Sequence, residues 1–302
     1  MTKARITVIG AGLMGHGIAQ VFALAGHDVT IYDSFAATLD SAKARILANL
    51  KDLGDDESAV NRVTPQADLA AAVRDADYVV EAVLEDLQLK QKIFAEVEKH
   101  ARPDAILASN TSVIPITQIM QDLARRERAL GTHWWNPPFL VPLVEVIETQ
   151  WTLPATVDFT MKLHANAGKT PAHVKKDVPG FIGNRLQHAL WREAIALVEH
   201  GICDAETVDN VIKAAFGRRL AVLGPLENAD MVGTDLTLAI HNTVLGEIDS
   251  RAAPSPYLEK LVKDGKLGFK SGEGFRKWSP QQQTELRSKV LQHLKKARAQ
   301  DA

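Results

Sequence analysis

Apolar positions between Ile6 and Val174 follow two patterns, short unbroken runs and segments with helical spacing. The short runs are rich in β-branched residues and predict buried strands, whereas apolar residues at every third or fourth position predict helices. Strands and helices that alternate along a chain are typical of an α/β fold with a doubly wound, mostly parallel sheet. The predicted strands span residues 5–9, 29–32, 77–84, 105–109, 129–135, 143–147 and 171–174. The first predicted helix has its apolar positions between residues 18 and 24 and ends at 25–27, and the later ones span 37–53, 66–75, 88–100, 115–123 and 155–167.

The pattern changes near Pro179, after which helical spacing continues to the end of the chain. We therefore predict two domains, an α/β domain over 1–178 and an all-α domain over 179–302. The segment after Ser279 has a basic side and an apolar side, which allows either a helix at a membrane surface or a solvated terminal helix. Its small apolar face favours the solvated helix.

Composition limits the classes of partner. The chain has 302 residues, of which 46% are hydrophobic and 24% charged, and its formal net charge is −2. This balance gives no attraction to nucleic acid or to an anionic membrane, and no run approaches the roughly twenty apolar residues of a membrane span. Cys203 is the only cysteine, so we expect no intrachain disulfide and a reducing compartment, the cytoplasm. No Cys/His cluster has metal-ligand spacing, so no metal site is expected.

Three glycines follow the first predicted strand, Gly10, Gly12 and Gly15. The first permits a tight turn, the second lets the backbone approach a pyrophosphate, and the third lets the following helix pack closely on the sheet. The positive end of that helix attracts the pyrophosphate. Leu13 and Met14 belong to the same predicted dinucleotide-binding turn. A strand–turn–helix that binds no nucleotide is the disfavoured alternative, because the flanking strand and helix patterns are both present.

Asp33 ends the second predicted strand, at about the twenty-residue interval at which an acid accepts the ribose hydroxyls of a dinucleotide. A carboxylate repels a 2′-phosphate, and no Arg or Lys follows it in residues 34–37. The sequence therefore predicts NAD rather than NADP as the cofactor.

His133 lies at the end of a predicted strand, where doubly wound sheets place their ligands. Glu145 interrupts the next apolar run, and a buried carboxylate is costly unless it is paired. Prolines between the two segments predict a hairpin-like return that brings Glu145 beside His133. Such a carboxylate would fix the imidazole tautomer, so that His133 takes a hydroxyl proton while a hydride leaves the same carbon. His133 alone is better explained as a hydrogen-bonded core residue, but Glu145 and Asn136 together favour chemistry.

These residues and their flanks resemble the L-3-hydroxyacyl-CoA dehydrogenase family over almost the full length of the chain. Six motifs occur in the family's order, and together they are highly specific. They are Val8-Ile-Gly-Ala-Gly-Leu-Met-Gly15, Glu81-Ala-Val-Leu-Glu85, Ala108-Ser-Asn-Thr-Ser112, His133 to Pro137 with Leu143-Val-Glu145, Gly180-Phe-Ile-Gly-Asn184-Arg185 and Gly272-Glu-Gly-Phe275.

The resemblance implies an N-terminal Rossmann domain that binds NAD and a helical C-terminal domain that forms most of a homodimer interface. It also implies that His133 and Glu145 are the catalytic pair. Ser112 would hydrogen-bond the substrate oxygen and the nicotinamide. The other residues that the resemblance assigns are Asn136 and Asn184 for the substrate and Glu85, Lys90 and Asn110 for the cofactor.

Two departures from the acyl-CoA pattern concern the substrate. Trp134 and Trp135 stand where acyl-CoA members usually carry two phenylalanines, and the segment with Arg218 and Arg219 is longer. In both respects the chain resembles a branch that includes gulonate dehydrogenase (lambda-crystallin), carnitine dehydrogenase and a dehydrogenase of pyridoxine breakdown, which use no CoA. On this hypothesis the Trp pair narrows the acyl channel, and Arg218 or Arg219 meets a substrate carboxylate. The alternatives are tryptophans in the core and arginines on a solvated turn.

The predicted activity is reversible NAD-dependent oxidation of a 3-hydroxyacyl substrate. A CoA thioester of fatty acid metabolism and a free hydroxy acid both remain open. A non-enzymatic NAD-binding protein is the alternative of another class, and it has no need of a His–Glu pair. Ser112 has the alternative role of a helix cap, and Asn184 that of a brace at the domain junction. Tyr257 and Lys260 lack the Tyr-x-x-x-Lys spacing of short-chain enzymes, and residues 183–190 lack the helical lysine of 3-hydroxyisobutyrate-type enzymes.

Overall fold

The computed structural model describes residues 3–301 of the chain. Its strands are β1 (Arg5–Ile9), β2 (Asp28–Tyr32), β3 (Val63–Gln66), β4 (Tyr78–Glu81), β5 (Ile106–Ser109), β6 (Ala129–Trp134), β7 (Leu143–Ile147) and β8 (Thr170–Val174). Its α-helices are α1 (Gly15–Leu24), α2 (Ala36–Leu53), α3 (Leu69–Val73), α4 (Leu87–His100), α5 (Ile116–Met120), α6 (Pro154–Asn166), α7 (Gly183–Glu199), α8 (Ala205–Ala214), α9 (Pro225–Val232), α10 (Thr234–Val244), α11 (Pro256–Lys263) and α12 (Pro280–Asp301). Short 3₁₀ turns lie at Glu57–Arg62, Arg126–Arg128 and Phe216–Arg218.

The strands form one eight-stranded sheet in the order β3-β2-β1-β4-β5-β6-β7-β8. Neighbouring strands are parallel except for β6 and β7, which are antiparallel. The chain order reverses between β1 and β4, and in open α/β sheets such a reversal opens a crevice at the carboxyl ends of the strands. The predicted doubly wound, mostly parallel fold is confirmed.

Side chains that alternate along the strands build a core on each face of this sheet. Val8 packs in one apolar cluster with Phe22 of α1 and Trp134 of β6. The next residue, Ile9, packs in the other cluster with Phe94 of α4. Central strands buried on both faces explain why the sequence shows unbroken apolar runs rather than alternation.

Strand β3 is the element that the sequence pattern missed. Its residues, Val63-Thr-Pro-Gln66, carry one aliphatic side chain and a proline, and they form the edge of the sheet beside β2. A proline is tolerated there because an edge strand leaves part of its backbone unpaired. The predicted helix at 66–75 is correspondingly shorter, since α3 begins only after Asp68, whose side chain caps it by accepting from the N–H of Ala71 at 2.7 Å.

The described chain divides into two compact units. One contains the residues up to Arg185 and those from Leu291 onward, and the other is Leu186–Val290. The division falls inside α7 and α12, so it differs from the predicted domains 1–178 and 179–302, and that boundary stays a prediction. Within residues 3–301, no helix combines the length and the apolarity that crossing a bilayer requires.

His164 of α6 is a fully buried titratable group in the first unit. Its Nδ1 donates to the carbonyl of Thr160 at 2.8 Å, while its Nε2 has no partner among the described residues. Burial lowers the pKa of His164 to about 4; the bond to Thr160 opposes this shift, and the charge of Lys169 adds to it.

This burial predicts a loss of stability in acid. Between about pH 6.5 and about pH 4 the unfolded chain binds the proton and the folded chain does not, so His164 should remove up to about 3 kcal/mol from the free energy of unfolding. We expect His164→Phe to flatten the pH dependence of urea unfolding across this window, and the exposed His293→Phe to leave it unchanged. An equal slope in wild type and His164→Phe would contradict the assignment.

Candidate active site

The turn after β1 requires glycine for steric reasons. Gly10 has a φ of +96°, and a Cβ on it would stand 2.6 Å from the carbonyl oxygen of Ala82. A Cβ on Gly15 would stand 1.7 Å from the carbonyl oxygen of Gly10, so α1 packs against the turn with no room for a side chain. A Cβ on Gly12 would meet nothing within 4 Å. Gly12 therefore faces open space, which a closely approaching pyrophosphate requires.

Asp33 joins the end of β2 to the glycine turn. Its carboxylate accepts hydrogen bonds from the N–H of Ala11 at 2.7 Å and of Phe35 at 2.9 Å. It lines a cavity of about 640 Å³. An open turn at a helix N-terminus, with an acid beside it, fits the pyrophosphate and a ribose of NAD. Other members of the predicted cofactor set that line this cavity are Gly10, Gly12, Leu13 and Met14.

The antiparallel pairing of β6 with β7 places His133 directly opposite Glu145. The two side chains meet on one face of the sheet, with 2.8 Å between Nδ1 of His133 and Oε2 of Glu145. His133 is 4% exposed and Glu145 is 1% exposed. The hairpin-like return that the prolines predicted is thus present, and it brings together the pair that the sequence proposed.

Glu145 is a buried charge held by three donors. Burial opposes its ionisation, but hydrogen bonds from His133, Gly183 and Ile182 outweigh burial, so the pKa of Glu145 lies below its ordinary value. Its Oε1 accepts from the N–H of Ile182 at 2.8 Å and of Gly183 at 3.0 Å. An ionised Glu145 accepts only, so Nδ1 of His133 carries the proton and Nε2 is left with a free lone pair.

Ser112 lies on the loop after β5 with an exposed side chain. Its N–H donates to Oε1 of Glu85 at 2.9 Å, and its carbonyl accepts from Nδ2 of Asn184 at 2.9 Å. Its hydroxyl bonds to no described residue, and the residue before α5 is Pro115, so Ser112 does not cap that helix. The backbone on both sides of Ser112 is therefore fixed while its hydroxyl is left available.

Glu85 and Lys90 hold the Ser112 loop in place through hydrogen bonds and ion pairs. Lys90 is 1% exposed, and its Nζ lies 2.7 Å from Oε1 of Glu81 and 3.4 Å from Oε2 of Glu85. The other oxygen of Glu85 accepts from Thr111 Oγ1 and from the N–H groups of the next two residues. Burial opposes the ionisation of Glu85, but these bonds and Lys90 lower its pKa. Glu81 was missed as a site residue, although an acid at the end of a buried apolar strand was the available signal.

Asn110 and Asn136 differ in their contacts. Asn110 accepts from the N–H of Trp134 at 2.9 Å through Oδ1 and so ties the end of β5 to β6. Asn136 is exposed and lies three residues after His133 in the chain. Asn110 therefore has a structural bond in place, whereas Asn136 presents its amide to solvent.

The two tryptophans face opposite sides of the sheet. Trp134 is 2% exposed and packs in the core beside Phe22 and His164, so the hypothesis that it narrows a substrate channel is wrong. Trp135 lies on the side of His133, with 5.3 Å between their ring centroids. Only Trp135 of this pair is placed to influence a substrate.

Arg218 and Arg219 lie in the second compact unit, at the end of the 3₁₀ turn Phe216–Arg218, and both side chains are exposed. All the other predicted site residues lie in the first unit. Within residues 3–301, no three His, Cys, Asp or Glu side chains are grouped so as to hold a metal ion.

Sheet order, glycine turn and acid together define a dinucleotide-binding protein of the Rossmann type. Two family models match the chain: the NAD-binding domain of 3-hydroxyacyl-CoA dehydrogenase over residues 5–178, and the C-terminal domain of the same enzyme over residues 180–278. The chain belongs to the 3-hydroxyacyl-CoA dehydrogenase family.

Individual relatives differ in substrate. A probable 3-hydroxybutyryl-CoA dehydrogenase of Deinococcus radiodurans is 39% identical, over 90% of this chain and 99% of that protein. A 5-formyl-3-hydroxy-2-methylpyridine 4-carboxylate 5-dehydrogenase of Mesorhizobium japonicum is 34% identical, over 96% and 95%. A crystal structure of an enzyme with the latter activity, described as an NAD⁺-dependent dismutase, superposes with a TM-score of 0.92 at 33% identity and covers 99% of both chains.

The family relationship settles the class of activity. The protein is an NAD-dependent dehydrogenase that acts on a CH–OH group. The non-enzymatic alternative is therefore disfavoured, whereas the particular substrate is not decided by these relatives.

Because Gly12 faces open space, a small side chain there should weaken cofactor binding without destabilising the fold. A methyl group there would meet no protein atom within 4 Å but would occupy the space that the predicted pyrophosphate would approach. We expect Gly12→Ala to leave the free energy of unfolding nearly unchanged and to raise the Kd for NADH about tenfold or more, measured by fluorescence titration. Gly15→Ala is the contrast, because its Cβ clashes with backbone and should destabilise the fold. Unchanged NADH affinity in Gly12→Ala would contradict the placement of the cofactor.

Proposed function

We propose that the protein catalyses the reversible oxidation of a 3-hydroxyacyl substrate, a 3-hydroxyacyl-CoA or a related 3-hydroxy acid, to the 3-oxo product. The observation that carries this proposal is the buried His133–Glu145 pair at 2.8 Å, at the carboxyl end of β6. When bound, NAD supplies the acceptor for the hydride that leaves the carbinol carbon. The residues of the chain then have to bind the alcohol and accept its proton.

In this proposal His133 is the base. Its Nδ1–H is held by Glu145, so the free lone pair on Nε2 accepts the hydroxyl proton of the substrate. The imidazolium that forms is stabilised by the ionised carboxylate 2.8 Å away. In the reverse direction the same imidazolium returns the proton to the carbonyl oxygen. Because both side chains are nearly fully buried, their attraction is weakly screened.

Three polar side chains are proposed to hold the substrate. The free hydroxyl of Ser112 would bond the reacting oxygen and the nicotinamide amide, and the exposed Asn136 would bond the substrate beside His133. Asn184 would order the site by its bond to the carbonyl of Ser112. Glu85 and Lys90 would act at the cofactor's nicotinamide end through the Ser112 loop, since Lys90 itself is enclosed.

Replacing His133 tests the proton step. We expect His133→Gln to lower kcat for alcohol oxidation about a hundredfold or more, the typical contribution of acid–base catalysis, with an unchanged Kd for NADH. His173→Gln, a histidine of β8 that pairs with Glu148 at 2.9 Å, is the matched control and should keep wild-type kcat. Near-normal turnover by His133→Gln would contradict the proposed role.

A free hydroxy acid or alcohol, without CoA, is the second candidate substrate. It is favoured by the TM-score of 0.92 with the pyridine carboxylate enzyme, which covers 99% of this chain. The exposed Arg219 would then meet the substrate carboxylate, and Trp135 would shape the pocket beside His133.

Matched substrates separate the two candidates. NADH formation should be followed with 3-hydroxybutyryl-CoA and with free 3-hydroxybutyrate, gulonate and carnitine. Turnover confined to the thioester would support an enzyme of fatty acid metabolism. If free acids alone react, Arg219→Ala should raise KM for the acid, and an unchanged KM would contradict the role of Arg219.

We further propose a homodimer formed through the C-terminal helices, in a reducing compartment such as the cytoplasm. No residue of α9 or α10 is buried within the chain, and Leu226, Met231 and Leu238 are 79%, 64% and 62% exposed. An apolar surface of this kind on a soluble enzyme favours an interface with a second copy.

The dimer predicts a variant that dissociates. We expect wild-type protein to sediment at twice the chain mass of 33.0 kDa, and Leu238→Glu to sediment as a monomer because the new charge would be buried without a partner. Lys263→Gln at the exposed end of α11 also changes the net charge by −1 and is the control for the charge change. A monomeric wild type would contradict the proposal.

A further inference from the structure

Arg45 of α2 contacts the glycine turn on the side of its carbonyl groups, a contact that no sequence pattern indicates. Its Nη2 donates to the carbonyl of Ala11 at 2.5 Å and to that of Thr38 at 3.1 Å. Its Nη1 donates to the carbonyl of Gly12 at 3.4 Å. Thus one guanidinium binds two consecutive carbonyls of the turn that carries the predicted pyrophosphate site.

Because the peptide bond is planar, the hydrogen bonds from Arg45 to these carbonyls also orient the N–H groups of the following residues. In a trans peptide unit the C=O and the N–H of the next residue point in opposite directions. Because the carbonyls of Ala11 and Gly12 point at Arg45, the N–H groups of Gly12 and Leu13 point away from it. Neither N–H has an acceptor among the described residues 3–301. The two donors are therefore presented on the side opposite Arg45.

The charge of Arg45 is also left without a counter-ion. Its hydrogen-bond partners are carbonyl oxygens, and no carboxylate of residues 3–301 forms an ion pair with it. Nδ1 of His16 donates to the carbonyl of Gly12 at 2.7 Å, so this carbonyl is held from two directions. A positive charge behind two free N–H groups favours an anion in front of them.

We propose that Arg45 is a positioning residue for the cofactor: it turns the carbonyls of Ala11 and Gly12 away from the pyrophosphate and aims the N–H groups of Gly12 and Leu13 at it. The inference rests on the proposed placement of NAD on the glycine turn. Without Arg45, the carbonyl of Ala11 is free to rotate toward the phosphates, where its oxygen repels them, whereas the carbonyl of Gly12 keeps its bonds from the N–H and the ring of His16. Arg45 thereby acts on cofactor affinity and not on the proton step at His133.

The test compares ligands with and without the pyrophosphate. We expect Arg45→Met to raise the Kd for NADH and for ADP-ribose about tenfold to a hundredfold, the range of a lost charge-assisted hydrogen bond. The Kd for adenosine, which lacks phosphate, should stay the same. KM for NAD should rise in parallel while kcat at saturating NAD stays within about threefold of wild type, as for a loss of uniform binding.

Two further variants separate positioning from simple support of the fold. Arg45→Lys keeps the charge but loses the planar fork, so its Kd for NADH should lie between those of wild type and Arg45→Met. If the methionine variant does not fold, folded Arg45→Lys should still bind NADH and ADP-ribose more weakly than wild type and adenosine equally well. Arg62→Met is the matched control, because Arg62 donates to the carbonyl of Ala23 at the other end of α1. It should keep wild-type affinity for all three ligands.

Each remaining outcome contradicts the proposal in a recognisable way. Equal weakening of adenosine and ADP-ribose in Arg45→Met would indicate a general brace of the domain. Unchanged affinity for both would remove any role in binding. A wild-type protein that binds neither NADH nor ADP-ribose would instead contradict the placement of the cofactor, and with it the role of Arg45.

Discussion

The buried carboxylate of Glu145 is the constraint on which the site depends. A charge that is 1% exposed is stable only if its oxygens are fully bonded, and here the donors come from β6 and from the start of α7. The carboxylate therefore joins β7 to two other segments of the chain. The bond that stabilises the charge is also the bond that sets the tautomer of His133, so the stability of this region and the proposed chemistry share one interaction.

The Ser112 loop is also held by charged side chains, of which Lys90 and Glu81 are buried and Glu85 is partly exposed. Lys90 lies between Glu81 and Glu85. The other carboxylate oxygen of Glu85 accepts hydrogen bonds from the backbone N–H groups that follow Thr111. Loops at the carboxyl ends of strands carry ligand-binding groups only if a rigid scaffold holds them. In this protein Glu81, Glu85 and Lys90 supply an ionic part of that scaffold, beside the apolar cluster against which Ile114 packs.

The sequence predicted those features that depend on local spacing. Gly10 is required by the positive φ of its tight turn and Gly15 by a contact within the same strand–turn–helix unit, and the His133–Glu145 pair follows from one hairpin-like return. Strand β3 could not be predicted from its own residues, because its place at the sheet edge is decided by β2. The sequence likewise did not predict the partners of Lys90 or the contact of Arg45 with the glycine turn. A long cationic side chain can reach many distant oxygens, and its own sequence position does not indicate which one it will bind. Trp134 was misjudged because an aromatic pair spans both faces of a strand, and only one member can face the site.

Glu145 is proposed to act on catalysis through His133, and a double-mutant cycle on kcat distinguishes this coupling from two independent roles. Glu145→Gln offers an amide N–H to Nδ1, which leaves the proton on Nε2 and removes the base, so the single variant should lose about a hundredfold or more. If the account is right, His133→Gln with Glu145→Gln is no slower than His133→Gln alone, because the two side chains act as one unit. Losses that multiply in the double variant would mean that the residues act independently, and would contradict the account.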